Sequence, residues 1–180
     1  MKEKSSSKER LEISKFKLNA LLEITLSINA NLPVEELLAK YDSILRNNLG
    51  IGKIMIFKYD EKWECILNAG FPKSFQKSVN IREQLLPLNE TTIVTNKPGF
   101  EGVDIIIPVF NNLVPLAYIF IGDIEEEGEG MSPVLKHLTF IQTISNIIIV
   151  AIENIRLFKE TLRQEALKKE LELASRMQMM

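Results

Sequence analysis

The chain of 180 residues contains a single cysteine, Cys65, and a single histidine, His137. One thiol excludes an internal disulfide and any multi-cysteine metal site. Its surroundings, Trp63-Glu-Cys-Ile-Leu-Asn68, alternate polar and apolar residues, which puts the thiol on a strand as a small hydrophobe. The lone histidine, with Lys136 beside it, leaves a hydrolytic triad or a zinc centre short of partners. An excess of one charge is also missing. Lys and Arg number 22 against 24 Asp and Glu, a net charge of −2, so no global field draws in nucleic acid or an anionic membrane. The only basic run, Lys2, Lys4, Lys8 and Arg10 around Ser5-Ser6-Ser7, reads as a solvated N-terminal tail. Long apolar runs are missing too. The stretch Ile141 to Ile152 is interrupted by Gln142, Ser145 and Asn146 and stops at Glu153, whereas a bilayer span needs about 20 apolar residues. The start Met-Lys-Glu-Lys lacks the apolar segment of a signal peptide. No glycine loop for phosphate is present, and no cofactor is expected. The expectation is a cytoplasmic protein without nucleic-acid or membrane partners.

What remains is a foldable composition, 46% apolar and 26% charged, in one domain with a helical extension. Leu11, Leu18, Leu21, Thr25, Ile28 and Leu32, with Leu22 and Leu26 widening the stripe, predict a long amphipathic helix. Asn29-Ala-Asn-Leu-Pro33 stops it. Pro33 then opens a second helix through Leu37, Leu38, Tyr41, Ile44 and Leu45, with Glu35 and Glu36 near its positive end and Gly50 and Gly52 closing it. Lys53 to Tyr59 and Trp63 to Asn68 read as a hairpin about Asp60-Glu61-Lys62. From Ala69 to Phe100 glycines and prolines punctuate short pieces, and Leu88 to Thr95 is read as a helix. A second hairpin, Val103 to Phe110 and Leu113 to Gly122, turns at Asn111-Asn112. Pro108 places its first strand at an edge or beside a bulge. After the acidic loop Glu125 to Gly130, Ser132 caps a helix whose first residue is Pro133. Nothing breaks it before Met180, a reach of about 70 Å.

This order predicts an α+β fold: an antiparallel sheet, terminal helices packed on one face, and a long C-terminal coiled-coil helix. The irregular segment would cover the other face. Tyr118 and Phe120 share one face of their strand, and Ala117, Ile119 and Ile121 the other. With the second set under the helices, Tyr118 and Phe120 meet Phe71, Phe75 and Phe100 from the covering segment. These five are the candidate pocket for a small organic ligand, unless they simply fill it.

The segment from about Leu18 to Phe158 resembles a GAF domain, the bacterial sensory fold. The resemblance lies in the paired N-terminal helices, the strand Ile54 to Tyr59 closing on Asp60, and Ile107-Pro108-Val109. It continues in Leu116-Ala-Tyr-Ile-Phe-Ile121 and in Ala151-Ile-Glu-Asn154 of the last helix. It divides the chain into a tail and helix start (1–17), a GAF-like body (18–158) and a coiled-coil linker (159–180). Some GAF proteins reduce methionine sulfoxide with several cysteines, which Cys65 alone cannot do. Bilin-binding relatives attach pigment through a cysteine usually followed by histidine, whereas Cys65 precedes Ile66. Asn96-Lys97 and Phe100-x-x-x-Asp104 are similar to parts of a cyclic-nucleotide signature. The halves stand too close, Ile105 follows where an acid belongs, and Asn96-Lys97-Pro98-Gly99 suffices as a turn.

The tail Leu167-Lys-Lys-Glu-Leu-Glu-Leu-Ala-Ser-Arg-Met-Gln178 resembles the linker before metal-dependent serine/threonine phosphatase domains of the sporulation and stress-response type. The match rests on Glu170, Leu171, Ala174 and Gln178. It implies a sensory module that passes a signal to a downstream phosphatase domain, the residues present being non-catalytic. The alternative is a ligand-free dimerisation module feeding a kinase or a cyclase. For the dimer, Ile141, Ile144, Ile148, Ala151, Ile155, Phe158 and Leu162 form one seam of the last helix. Gln164, Leu167, Leu171, Ala174 and Gln178 form a second, out of phase with the first. With Leu11, Leu18 and Leu21 they would build a parallel homodimer.

Overall fold

The computed structural model describes residues 2–124 and 133–180, and the side chains of 7–123 and 137–180. The acidic loop, Ser132 and the side chains before residue 7 lie outside the described residues. The elements are α1 (Lys2–Asn29), α2 (Val34–Ser43), β1 (Ile51–Asp60), β2 (Lys62–Ala69), α3 (Lys73–Ser78), β3 (Thr92–Ile93), β4 (Ile105–Asn111), β5 (Val114–Ile124) and α4 (Pro133–Gln178).

The strands form one sheet in the order β2-β1-β5-β4-β3, and every neighbouring pair is antiparallel. The hairpin turns fall as the sequence dictates, with Glu61 and Asn112 in the left-handed conformation at φ 58° and 54°. Pro108 lies opposite Tyr118 of β5, while β3 pairs only with Ile105 and Ile106. The proline thus stands on a free edge, and the register of β4 against β5 slips one residue later. At the far end of β5, a methyl group on Gly122 would stand 2.0 Å from the carbonyl oxygen of Gly102, so only glycine fits.

Ile54 and Ile56 of β1, Ile105, Ile107 and Val109 of β4, and Ala117, Ile119 and Ile121 of β5 face the helices. There they meet Ile24 of α1, Leu37 and Tyr41 of α2, and Ile141, Ile144 and Ile148 of α4, all fully buried. Tyr41 and Ser145 share a buried 2.7 Å hydrogen bond between α2 and α4. Burial raises the Tyr41 pKa further than that bond lowers it.

Four expectations are corrected. The segment Leu88 to Thr95 is not a helix. Thr91-Thr-Ile-Val-Thr95 is a run of five β-branched residues, which favours extended backbone, and Thr92 and Ile93 pair with β4. Gly52 does not close the second helix: α2 runs on into a π-helical turn at Ile44–Asn48, Gly50 follows it at φ 68°, and Gly52 belongs to β1. The N-terminal segment is helical from Lys2 rather than a loose tail, with Lys8 and Glu12 one turn apart among good helix formers. Lastly, α4 is more apolar than the sequence reading allowed. Among the described helices it alone carries a window apolar enough by composition to cross a bilayer, with a mean hydropathy of 1.5. Half of that window is buried within the protein.

Candidate functional site

Two groups of side chains meet on opposite faces of β1, and each has a distinct chemistry. On the face away from the helices, strand alternation points Met55, Phe57, Tyr118, Phe120 and Ile106 into a second core. The chain from Gly70 to Val103 closes over it with Phe71, Phe75, Leu85, Val94 and Val103. The structure brings the five named residues into this one layer. Phe75 and Phe100 lie 6.3 and 6.5 Å from Phe120, and Phe71 stacks on Phe75 at 5.5 Å. Sequence reasoning missed two further rings: Phe57, edge-on to Phe120 at 5.6 Å, and Trp63, 5.4 Å from Tyr118. Both stand in the same strand phase as the named aromatics, and that was the available signal.

Within this layer the Tyr118 hydroxyl is buried and has no hydrogen-bond partner among the described residues. Burial raises its pKa, so it stays a neutral phenol. Cys65 lies at the margin of the layer with its thiol directed to the Leu67 carbonyl at 3.3 Å. Burial pushes its pKa up, against smaller opposing hydrogen bonds. Such a thiol is a weak nucleophile. Asn96 and Gly99 are at φ 61° and 84°, which is turn geometry for Asn96-Lys97-Pro98-Gly99.

On the helical face, Lys58 and Glu153 form an ion pair of 2.6 Å with both side chains at most 10% exposed. The ammonium also donates to the Tyr59 carbonyl at 3.0 Å. Arg156, one turn along α4, grips the same carboxylate at 2.7 to 3.2 Å and stands 3.6 Å from Asp60. The Arg156 hydrogen bonds hold the Glu153 carboxyl at about 2, against the opposing effect of burial and with help from Lys58. The cluster holds two cations and two anions. Among the described residues no group of three His, Cys, Asp or Glu side chains could hold a metal.

Glu153 is the last buried residue of α4. Beyond it Ile155 is half-buried, Phe158 is 64% exposed, and every residue from Thr161 on is exposed. The first predicted seam is therefore buried within the protein's own body as far as Ala151, while Leu162, Leu167, Leu171 and Ala174 face solvent. On α1 the inward face is Phe16, Ala20, Ile24 and Ser27, joined by Leu21 and Ile28, whereas Leu11 and Leu18 are exposed. Between the α1–α2 loop and α4 runs a groove of about 730 Å³, lined by Ile28, Leu32, Val34, Ile155 and Phe158 among others.

This architecture is shared with known GAF domains. The GAF domain assigned to a sensor histidine kinase from Pseudomonas syringae pv. tomato superposes with a TM-score of 0.62 at 10% identity, covering 88% of this chain and 99% of that one. The GAF domain of an Acinetobacter phosphoenolpyruvate-protein phosphotransferase gives 0.56 at 14% identity over 78% and 94%. The phycoerythrobilin-bound GAF domain of a cyanobacterial phytochrome gives 0.53 at 17% identity over 79% and 97%. The chain has the GAF fold, and at these identities the likeness is one of fold. No family model and no curated protein matches its sequence.

Proposed function

We propose that the chain is a cytoplasmic, non-catalytic sensory module that works as a parallel homodimer. In this reading the body of residues 18–158 receives a signal in its aromatic layer. The helical arm of residues 159–180 delivers that signal to an output domain, and residues 1–17 begin the helix that completes the bundle. The observation that carries the reading is α4 itself. It runs about 37 Å past Glu153 with Leu162, Leu167 and Leu171 49 to 71% exposed, and an isolated helix of that length is marginal in water without a partner. The exposed Leu11, Leu18, Leu22 and Leu26 of α1 offer a matching apolar surface in a second copy.

The output we infer is a metal-dependent serine/threonine phosphatase of the sporulation and stress-response type, on the strength of Glu170, Leu171, Ala174 and Gln178. The coding sequence after codon 180 tests this. Metal-binding aspartates of such a domain are expected there, and a stop codon, a kinase or a cyclase would overturn the inference.

Tyr118 favours a small organic ligand with a hydrogen-bonding group, which would satisfy a buried phenol that otherwise costs about 1–3 kcal/mol to leave unpaired. The close ring contacts favour a filled layer and a ligand-free dimerisation module. Native mass spectrometry of protein purified from cells separates the two. A bound organic mass supports sensing, and its repeated absence supports the filled layer.

A further inference from the structure

Phe57 and Lys58 are consecutive residues of β1 that face opposite ways. Phe57 enters the aromatic layer, 7% exposed and edge-on to Phe120 at 5.6 Å. Lys58 enters the helical layer and holds Glu153 at 2.6 Å. One stretch of backbone therefore carries a ring of one core and the cation that fixes α4 in the other. At this point the pairing of β1 with β2 slips register, between Ile56 and Phe57. A bulge bends a strand locally and re-aims its side chains.

We propose that Lys58 is the transmission residue of the module: a change in packing around Phe57 moves the Lys58 ammonium, and Glu153 moves with it. This deepens the functional reading above and rests on it, with the aromatic layer as input and the arm as output. The physical reason is that the buried Lys58 ammonium cannot part from Glu153 without standing desolvated and without its counter-charge. The pair consequently shifts as a unit. Its position makes the shift consequential, because Glu153 is where α4 leaves the body. Arg156, on the first exposed turn, binds the same carboxylate and lies 3.6 Å from Asp60 at the end of β1. Strand and helix are thus tied at two points around the root of the arm. α4 is also tied by buried Ser145 to Tyr41, which reaches α2, and by half-buried Gln142, which donates to the Thr91 hydroxyl at 2.8 Å just before β3. Of these ties, the Lys58 pair alone is a buried ion pair and joins α4 to the strand neighbour of a ring in the aromatic layer.

Hydrogen exchange of the α4 amides, read residue by residue in the full chain, tests the proposal with Phe57→Leu as the perturbation. In the native background Phe57→Leu is expected to speed exchange across residues 150–160 about tenfold. In a Lys58→Met/Glu153→Met background, which leaves neither partner charged, the same change should alter it less than about twofold. Lys58→Met alone, with Glu153 still held by Arg156, gives the same loss of response should the double variant fail to fold. Ile56→Val faces the helices directly and should speed exchange in every background. No response to Phe57→Leu in the native background, or an equal response in all backgrounds, overturns the proposal. Repeating the series in Leu171→Glu keeps the two readings apart. A response that persists in the dissociated Leu171→Glu chain leaves Lys58 in its role independently of dimerisation, whereas a native chain that sediments as a monomer refutes the homodimer alone.

Discussion

Glu153→Gln measures how far one carboxylate fastens α4 to the sheet. The Glu153 carboxyl titrates at about 2 in the folded protein, against an ordinary value of 4.5. Its folded pKa is depressed, so the stability it contributes is present above the unfolded pKa and is lost as pH falls from about 4.5 to about 2. The difference corresponds to about 3 kcal/mol at pH 7, of which about 2 kcal/mol is lost by pH 3. Replacing Glu153 by glutamine also leaves Lys58 buried without a counter-charge, a loss of roughly 3–5 kcal/mol at neutral pH. Urea unfolding of both proteins at pH 7 and pH 3 isolates the group, because every other carboxylate is common to both. The stability gap between them should narrow by about 2 kcal/mol at the lower pH. A gap of equal size at both values would refute the argument and make the pair an incidental contact.

Three further outcomes follow from the packing. Tyr41→Phe and Ser145→Ala should each cost about 1–3 kcal/mol in denaturant unfolding, and the double variant little more than one alone, because either leaves the other partner unsatisfied in the core. Additive losses would show that the two hydroxyls act separately. Gly122→Ala should destabilise by the upper end of the about 1–3 kcal/mol of an overpacked core, since its methyl group meets a backbone oxygen at 2.0 Å. An unchanged midpoint would mean that the Gly102 turn yields freely. Cys65, half-buried with its pKa pushed up, should react with a thiol reagent at pH 7 at least about tenfold more slowly in the folded than in the urea-unfolded protein.

The sheet was legible in the sequence because its strands alternate cleanly between two cores. Phase alone separates Tyr118 and Phe120 from Ala117, Ile119 and Ile121, and the structure places the two sets on opposite faces. The α1 stripe was harder to read because that helix has apolar residues on two sides. Phe16, Ala20 and Ile24 face the core while Leu11, Leu18 and Leu22 face solvent, and periodicity cannot tell a core stripe from a docking stripe. Thr91 to Thr95 was misread because its neighbours suggested helical length, although its β-branched side chains were the better guide. The Lys58–Glu153 pair joins residues 95 apart in sequence, and charged residues are ordinarily read as surface. A signal was nevertheless there. Lys58 falls in phase with the inward Ile54 and Ile56, and Glu153 interrupts the apolar run of α4 on its buried side. A charge in the inward phase of a strand and another in the inward phase of a helix are candidates for each other.

The central claim is that the α4 arm exists to pair with its counterpart in a second copy. Sedimentation equilibrium of the native chain and of Leu171→Glu at micromolar concentration tests it most directly. The native chain should sediment as a dimer. Leu171 is 71% exposed in the single chain, and burying it in both copies is worth about 3–6 kcal/mol, so the variant should dissociate at least about a hundredfold more readily. A native chain that remains monomeric with its arm still helical beyond Leu162 would contradict the claim.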